Sequence, residues 1–168
     1  MNWVAHRAKA GIAVTVIVVM AASVIAVTSS SGADGATCNG AKATNVGTGA
    51  ADTLYGTSGT DVIVGGAGSD KIYGLGGDDI VCGNVGTDTL KGGSGDDTLL
   101  GGAARDGVDG GSGDDLVYGD DGSDALFGGS GQDYLRADDS LQYDHETCDG
   151  GDGNDDFAAA CEDTVNVP

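Results

Sequence analysis

Ten aspartates stand nine residues apart: Asp52, Asp61, Asp70, Asp79, Asp88, Asp97, Asp106, Asp115, Asp124 and Asp133. A carboxylate is a hard oxygen donor. Repeated at a fixed phase, it puts one charged pair of oxygens into every unit of a periodic chain. Six to eight hard donors suit Ca²⁺, whereas Mg²⁺ prefers a tighter octahedron that keeps water. Zinc and copper favour imidazole or thiolate ligands. Within residues 47–136 the one such side chain is Cys82.

The aspartates occupy the sixth position of a nine-residue row. From Gly47 the rows read GTGAADTLY, GTSGTDVIV, GGAGSDKIY, GLGGDDIVC, GNVGTDTLK, GGSGDDTLL, GGAARDGVD, GGSGDDLVY, GDDGSDALF and GGSGQDYLR, ending at Arg136. Position 1 is always glycine and position 8 always Leu, Ile or Val. The frame is lost over residues 137–149 and returns as GGDGNDDFA, with Asp155 and Phe157 at the two diagnostic places. Glycine tolerates positive φ and leaves its carbonyl open to a ligand, so each row reads as a glycine-rich turn followed by a short strand. Strand alternation sends position 8 inward and positions 7 and 9 outward. Tyr55, Tyr73 and Phe127 then share one outer face, and Val64, Cys82, Leu100 and Tyr118 the other.

These rows resemble the RTX, or haemolysin-type, calcium-binding nonapeptide repeat, and the whole chain is similar to small secreted calcium-binding repeat proteins of actinobacteria. The resemblance covers about two thirds of the chain, and the nonapeptide is a known signature of such repeat arrays. It implies an all-β fold, a parallel β-roll (an RTX-type solenoid) with two nonapeptide rows per coil. It also implies Ca²⁺ held between successive stacked turns. Rows eighteen residues apart then form two columns, the turns at 47, 65, 83, 101 and 119 and those at 56, 74, 92, 110 and 128. Four gaps per column make room for several ions, up to about eight, with roughly +16 of charge. On this resemblance the ligands are the ten sixth-position aspartates and Asp155. With them go the turn glycines Gly65, Gly68, Gly74, Gly77, Gly83, Gly86, Gly92, Gly95, Gly110, Gly113, Gly119, Gly122, Gly128 and Gly131. The fifth-position Asp78, Asp96 and Asp114 read as solvated carboxylates and not as ligands. Ala50 and Ala104 replace the fourth glycine, which makes the gaps beside their turns the doubtful ones.

Composition agrees with a metal-loaded repeat. The formal net charge is −20, glycine contributes 33 of 168 residues and aromatics 5%, too few large side chains for an ordinary globular core. One aliphatic side chain per row contributes about 1.5–3 kcal/mol. Fixing the backbone costs roughly 1–2 kcal/mol per residue. Burial alone therefore does not order the rows, and cation binding is the obvious missing contribution. The acidity excludes a nucleic-acid binder.

The first 33 residues read as a signal peptide: His6, Arg7 and Lys9, an apolar run from Ala10 to Val27, then small residues up to Ala33. The rival reading is an uncleaved anchor. Removing the segment takes two cations and no acid, so the charge falls from −20 to −22. Residues 34–46 are expected to cap the N-terminal end, residues 137–149 to form an insertion, and residues 150–168 to supply the last repeat and a C-terminal cap. An exported chain with Cys38, Cys82, Cys148 and Cys161 is expected to carry two disulfides, with three connectivities open. Cys148–Cys161 is favoured by nearness in sequence, which leaves Cys38–Cys82. No catalytic set is visible: His145 stands alone after the leader, and no serine sits in a nucleophile elbow. The expected protein is a secreted, extracellular Ca²⁺ binder without enzymatic activity. It has no nucleic-acid partner and no membrane association once the leader is cleaved. The alternative is a calcium-dependent adhesin whose outer faces meet a cell-surface or extracellular-matrix partner.

Overall fold

The computed structural model of the chain describes residues 14–16, 27–29, 35–137, 146–157, 161 and 163–165. Most of the expected leader, much of the 137–149 segment with His145, and much of the C-terminal cap lie outside the described residues. Within the first 33 residues, Val14–Val16 pairs antiparallel with Val27–Ser29. No helix among the described residues is long and apolar enough to cross a membrane.

Two seven-stranded parallel sheets build the fold. One contains Thr53–Tyr55, Lys71–Gly76, Thr89–Ser94, Gly107–Ser112, Ala125–Gly131, Thr147–Gly153 and Asp163–Val165. The other contains Asn45–Val46, Val62–Ala67, Ile80–Val85, Thr98–Ala103, Leu116–Asp121, Tyr134–Arg136 and Asp156–Phe157. Consecutive strands alternate between the sheets, so two rows complete one coil of a parallel β-roll. The register repeats every eighteen residues: Leu54 pairs with Ile72, Ile72 with Leu90, and Leu90 with Val108. The strands in the middle of the roll, from Val62–Ala67 to Leu116–Asp121, span six residues, covering positions 7–9 of one row and 1–3 of the next, as in Lys71–Gly76. The turn proper is therefore short, only positions 4–6.

The core is the file of position-8 side chains between the sheets. Ile63, Ile72, Val81, Leu99, Val108, Val117, Leu126 and Leu135 have no exposed surface at all, and Leu54 and Leu90 almost none. Each stacks on its counterpart one coil away, which is how one aliphatic per row makes a continuous interior.

The N-terminal segment folds back, but not simply over the end of the roll. Thr37–Cys38 and Ala41–Lys42 form a small antiparallel pair, and Cys38 is joined to Cys82. Cys38, Val64 and Cys82 form a second buried cluster with Ala43, Val46, Val62, Ile80 and Leu100 against it. Val64 and Cys82, expected on an outer face, are therefore covered. Asn45–Val46 then joins the edge of the sheet beside Ile63–Val64. The second disulfide is Cys148–Cys161, and no cysteine is free.

Candidate metal centre

Position 6 turns its carboxylate into the roll. Asp70, Asp79, Asp88, Asp97, Asp106, Asp115, Asp124 and Asp133 are 1–2% exposed. Each accepts, through Oδ1, the backbone N–H of the aspartate one coil earlier. The bonds from Asp52 to Asp70, Asp79 to Asp97 and Asp97 to Asp115 are each 2.8 Å. The result is a carboxylate ladder along each column, one rung per coil. The second oxygen, Oδ2, is buried and receives no hydrogen bond in Asp70, Asp79, Asp88, Asp97, Asp106, Asp115 and Asp133. A buried anionic oxygen without a donor is costly, and native proteins pair such groups or give them to a metal.

Electrostatics point the same way. Burial pushes the carboxyls of Asp70, Asp79, Asp88 and Asp133 up from the usual aspartate range, against the lowering pull of the ladder hydrogen bond. In the middle of the roll the same cause, with repulsion from neighbouring rungs, raises Asp97 to about 6 and Asp106 and Asp115 to about 7. A hard cation removes both penalties by neutralising the charge and supplying the missing partner. Among the described residues no three acidic, histidine or cysteine side chains converge on one point. One carboxylate per turn cannot fill a shell of six to eight oxygens, so backbone carbonyls or water would have to supply the rest.

The turn glycines serve two different purposes. Positions 2 and 4 carry the positive φ in the eight turns starting at 65 through 128, for example Gly93 at 122° and Gly95 at 120°. Position 1 has ordinary φ, and its glycine answers to space. A Cβ on Gly65 would lie 2.6 Å from Asp70 Oδ2 and 2.8 Å from the Gly83 carbonyl oxygen. The invariant first glycine thus keeps open the ground shared by a carboxylate and the next coil's carbonyl, an oxygen-lined cradle that a methyl group would fill. Ala104 does take a fourth-position φ of 89°, with its Cβ in place. Ala50 does not, because its turn is built differently. Asp78, Asp96 and Asp114 are structured as well: each accepts the N–H of the fifth residue one coil later, at 3.1, 2.9 and 2.8 Å. They form a shorter outer ladder on one column only.

The sequence missed one rung. Asp124 N–H donates to Glu146 Oε2 at 2.8 Å, and Glu146 is 4% exposed. Cys148 pairs with Leu126 and is fully buried. Residues 146–149 therefore hold positions 6–9 of a row four residues longer than the others, since this rung spans 22 residues where others span 18. Glutamate reaches where aspartate would, and the hidden frame explains why Asp133 N–H meets Asp155 Oδ1, at 3.1 Å, across the same 22-residue step. The signal was present as Glu146 and Cys148, two residues apart as positions 6 and 8 require.

A two-sheet parallel roll with a carboxylate rung in each turn defines a class of β-roll repeat proteins. The family described as RTX calcium-binding nonapeptide repeat (4 copies) matches residues 46–81, 83–117 and 108–135, more than half of the chain. The chain belongs to that family and is a calcium-binding repeat protein. No curated protein and no solved structure matches it.

Proposed function

We propose that the protein is a secreted calcium-binding roll, folding around several Ca²⁺ ions held between stacked turns and acting by binding, not catalysis. The observation that carries this is the file of buried Oδ2 atoms without donors, each beside a first-position glycine. The proposed ligands are the sixth-position aspartates from Asp70 to Asp133, Asp155, and carbonyls of the turn glycines. Up to about eight ions would offset most of the acidic charge. Two disulfides fit an oxidising compartment, and with the leader-like first 33 residues they support export. The test is circular dichroism of the leader-free chain titrated with Ca²⁺ or Mg²⁺ after metal stripping. Cooperative gain of β structure with Ca²⁺ and little with equal Mg²⁺ is expected. A full β spectrum in the stripped protein would refute it. A second reading, calcium as scaffold for a cell-surface or matrix partner, draws on the outer face where Tyr55 and Tyr73 stack at 5.0 Å and Phe127 is exposed. Capture on cell-wall material with and without Ca²⁺ separates the two.

A further inference from the structure

The first two turns differ from those that follow. Thr48 donates both its N–H and its Oγ1 hydroxyl to Asp52 Oδ2, at 2.6 and 2.7 Å. Thr57 does the same to Asp61 Oδ2, at 2.6 and 2.9 Å. The oxygen left without a donor in the later turns is here doubly bonded. Neither turn uses positive φ at position 2 or 4, whereas all eight turns from Gly65 through Gly131 do. Sequence explains the change. A β-branched residue at positive φ is strongly disfavoured, so threonine at position 2 selects the other turn, and in that turn its hydroxyl reaches the carboxylate. Later rows carry Gly66, Leu75, Asn84 or Asp120 at that place, all at positive φ.

We infer that residues 47–64 form a metal-independent starter coil, in which Thr48 and Thr57 take the place that a divalent cation has in later turns, so that the calcium sites begin at Asp70 and Asp79. This rests on the calcium reading above. Charge-assisted hydrogen bonds to a carboxylate are about twice as strong as neutral ones, and two on one oxygen hold its charge without an ion. The coil is also braced from outside the ladder. Thr44 N–H bonds the Val62 carbonyl at 2.7 Å, Gly47 N–H bonds the Val64 carbonyl at 2.8 Å, and the Cys38–Cys82 disulfide ties the same segment to the next coil. A preformed coil gives the next row a template, which removes the nucleation step that a stacked array otherwise faces.

The test compares two conservative double variants of the leader-free chain with Ca²⁺ alone as ligand. Asp52→Asn/Asp61→Asn should leave the number of ions counted by native mass spectrometry unchanged and the Ca²⁺ midpoint within about twofold of wild type. Asp79→Asn/Asp97→Asn should lose ions and raise the midpoint by about tenfold or more. In metal-stripped buffer, hydrogen exchange should find the amides of Thr48 and Thr57 protected while those of residues 83–100 exchange. Thr48→Val/Thr57→Val should abolish that protection without changing the ion count. Equal ion loss in the two aspartate variants, or no protection at Thr48 and Thr57, overturns the inference and leaves calcium binding standing. A wild-type chain that takes up no Ca²⁺ overturns the calcium reading itself, and the exchange data then decide alone whether the starter coil exists.

Discussion

Gly92 and Gly107 offer the same chemical change, one added methyl, with opposite consequences. Both have ordinary φ, so strain at the backbone does not separate them. A Cβ on Gly92 would overlap Asp97 Oδ2 and stand 2.5 Å from the Gly110 carbonyl oxygen. An ordinary carbon–oxygen contact begins near 3.4 Å, so backbone must yield by about 0.9 Å in the middle of a ladder. Overpacking of this kind costs about 1–3 kcal/mol. The Asp97 carboxylate must also swing away, which gives up the 2.8 Å bond from Asp79 N–H. Losing a hydrogen bond to a charged acceptor adds about 1.5–3 kcal/mol. Gly92→Ala is therefore expected to cost roughly 2.5–6 kcal/mol. A Cβ on Gly107 meets nothing within 4 Å. Gly107→Ala should stabilise by about 0.4–1 kcal/mol, because alanine has fewer unfolded conformations to lose. The two variants thus differ by about 3 kcal/mol at least, more than a hundredfold in the folding equilibrium. Urea unfolding in saturating Ca²⁺, followed by circular dichroism, measures both. Agreement of the two variants within about 0.5 kcal/mol would show that the first glycine has no packing role.

Three further outcomes are expected. Ala104→Gly should stabilise the roll by about 1 kcal/mol in the same urea assay, since Ala104 holds a φ of 89° that glycine adopts freely; an unchanged or lower stability would count against strain there. Removing the Cys38–Cys82 bond, which closes 44 residues, should cost about 4 kcal/mol. Removing Cys148–Cys161, which closes 13, should cost about 3 kcal/mol, and thermal unfolding of the paired Cys→Ser variants reads the order directly. The metal-free roll should be acid-stabilised. Asp97, facing Asp79, Asp78 and Asp96, titrates at about 6, and Asp106 and Asp115 at about 7, all above their unfolded value of 3.8 because burial favours the neutral form. Their stabilisation is complete below that unfolded value and is lost as pH rises through about 6 to 7. Metal-stripped protein should therefore hold more β structure at about pH 5 than at about pH 8 by circular dichroism, and a flat profile would contradict the buried ladder.

Much of the roll was legible because its information is periodic. Glycine at position 1, aspartate at 6 and an aliphatic at 8 fix the phase of the turn, the ligand and the core together, and the structure keeps all three in register from Leu54 to Leu135. What escaped is aperiodic or depends on contacts between coils. Thr48 and Thr57 look like tolerated variation until their hydroxyls are seen on Asp52 and Asp61. Glu146 hides in a row four residues too long for a nine-residue count, although the strand after it keeps its place. Positive φ accounts for the glycines at positions 2 and 4, but the first glycine is set by a carbonyl of the neighbouring coil. The Cys38–Cys82 link expected from the cysteine count is there, but that the folded-back segment also covers Val64, an outer-face position, no local pattern announces.

Alternation of rows between the two sheets also governs how such a gene can grow or shrink. Loss of a single nine-residue row would move every later row to the opposite sheet. If the lost row were 101–109, Asp96, which now accepts the Asp114 N–H one coil on, would have Ser123 of the other file in that place. Loss of two rows leaves each survivor above a residue of its own kind. Copy number is therefore free to drift in steps of eighteen residues and is held against steps of nine. The segment ahead of a strand obeys no such quantum: four additional residues before Glu146 leave Cys148 seated on Leu126. Length variation of odd size in this chain belongs between its strands, and inheritance of whole coils is the route by which its calcium capacity can change.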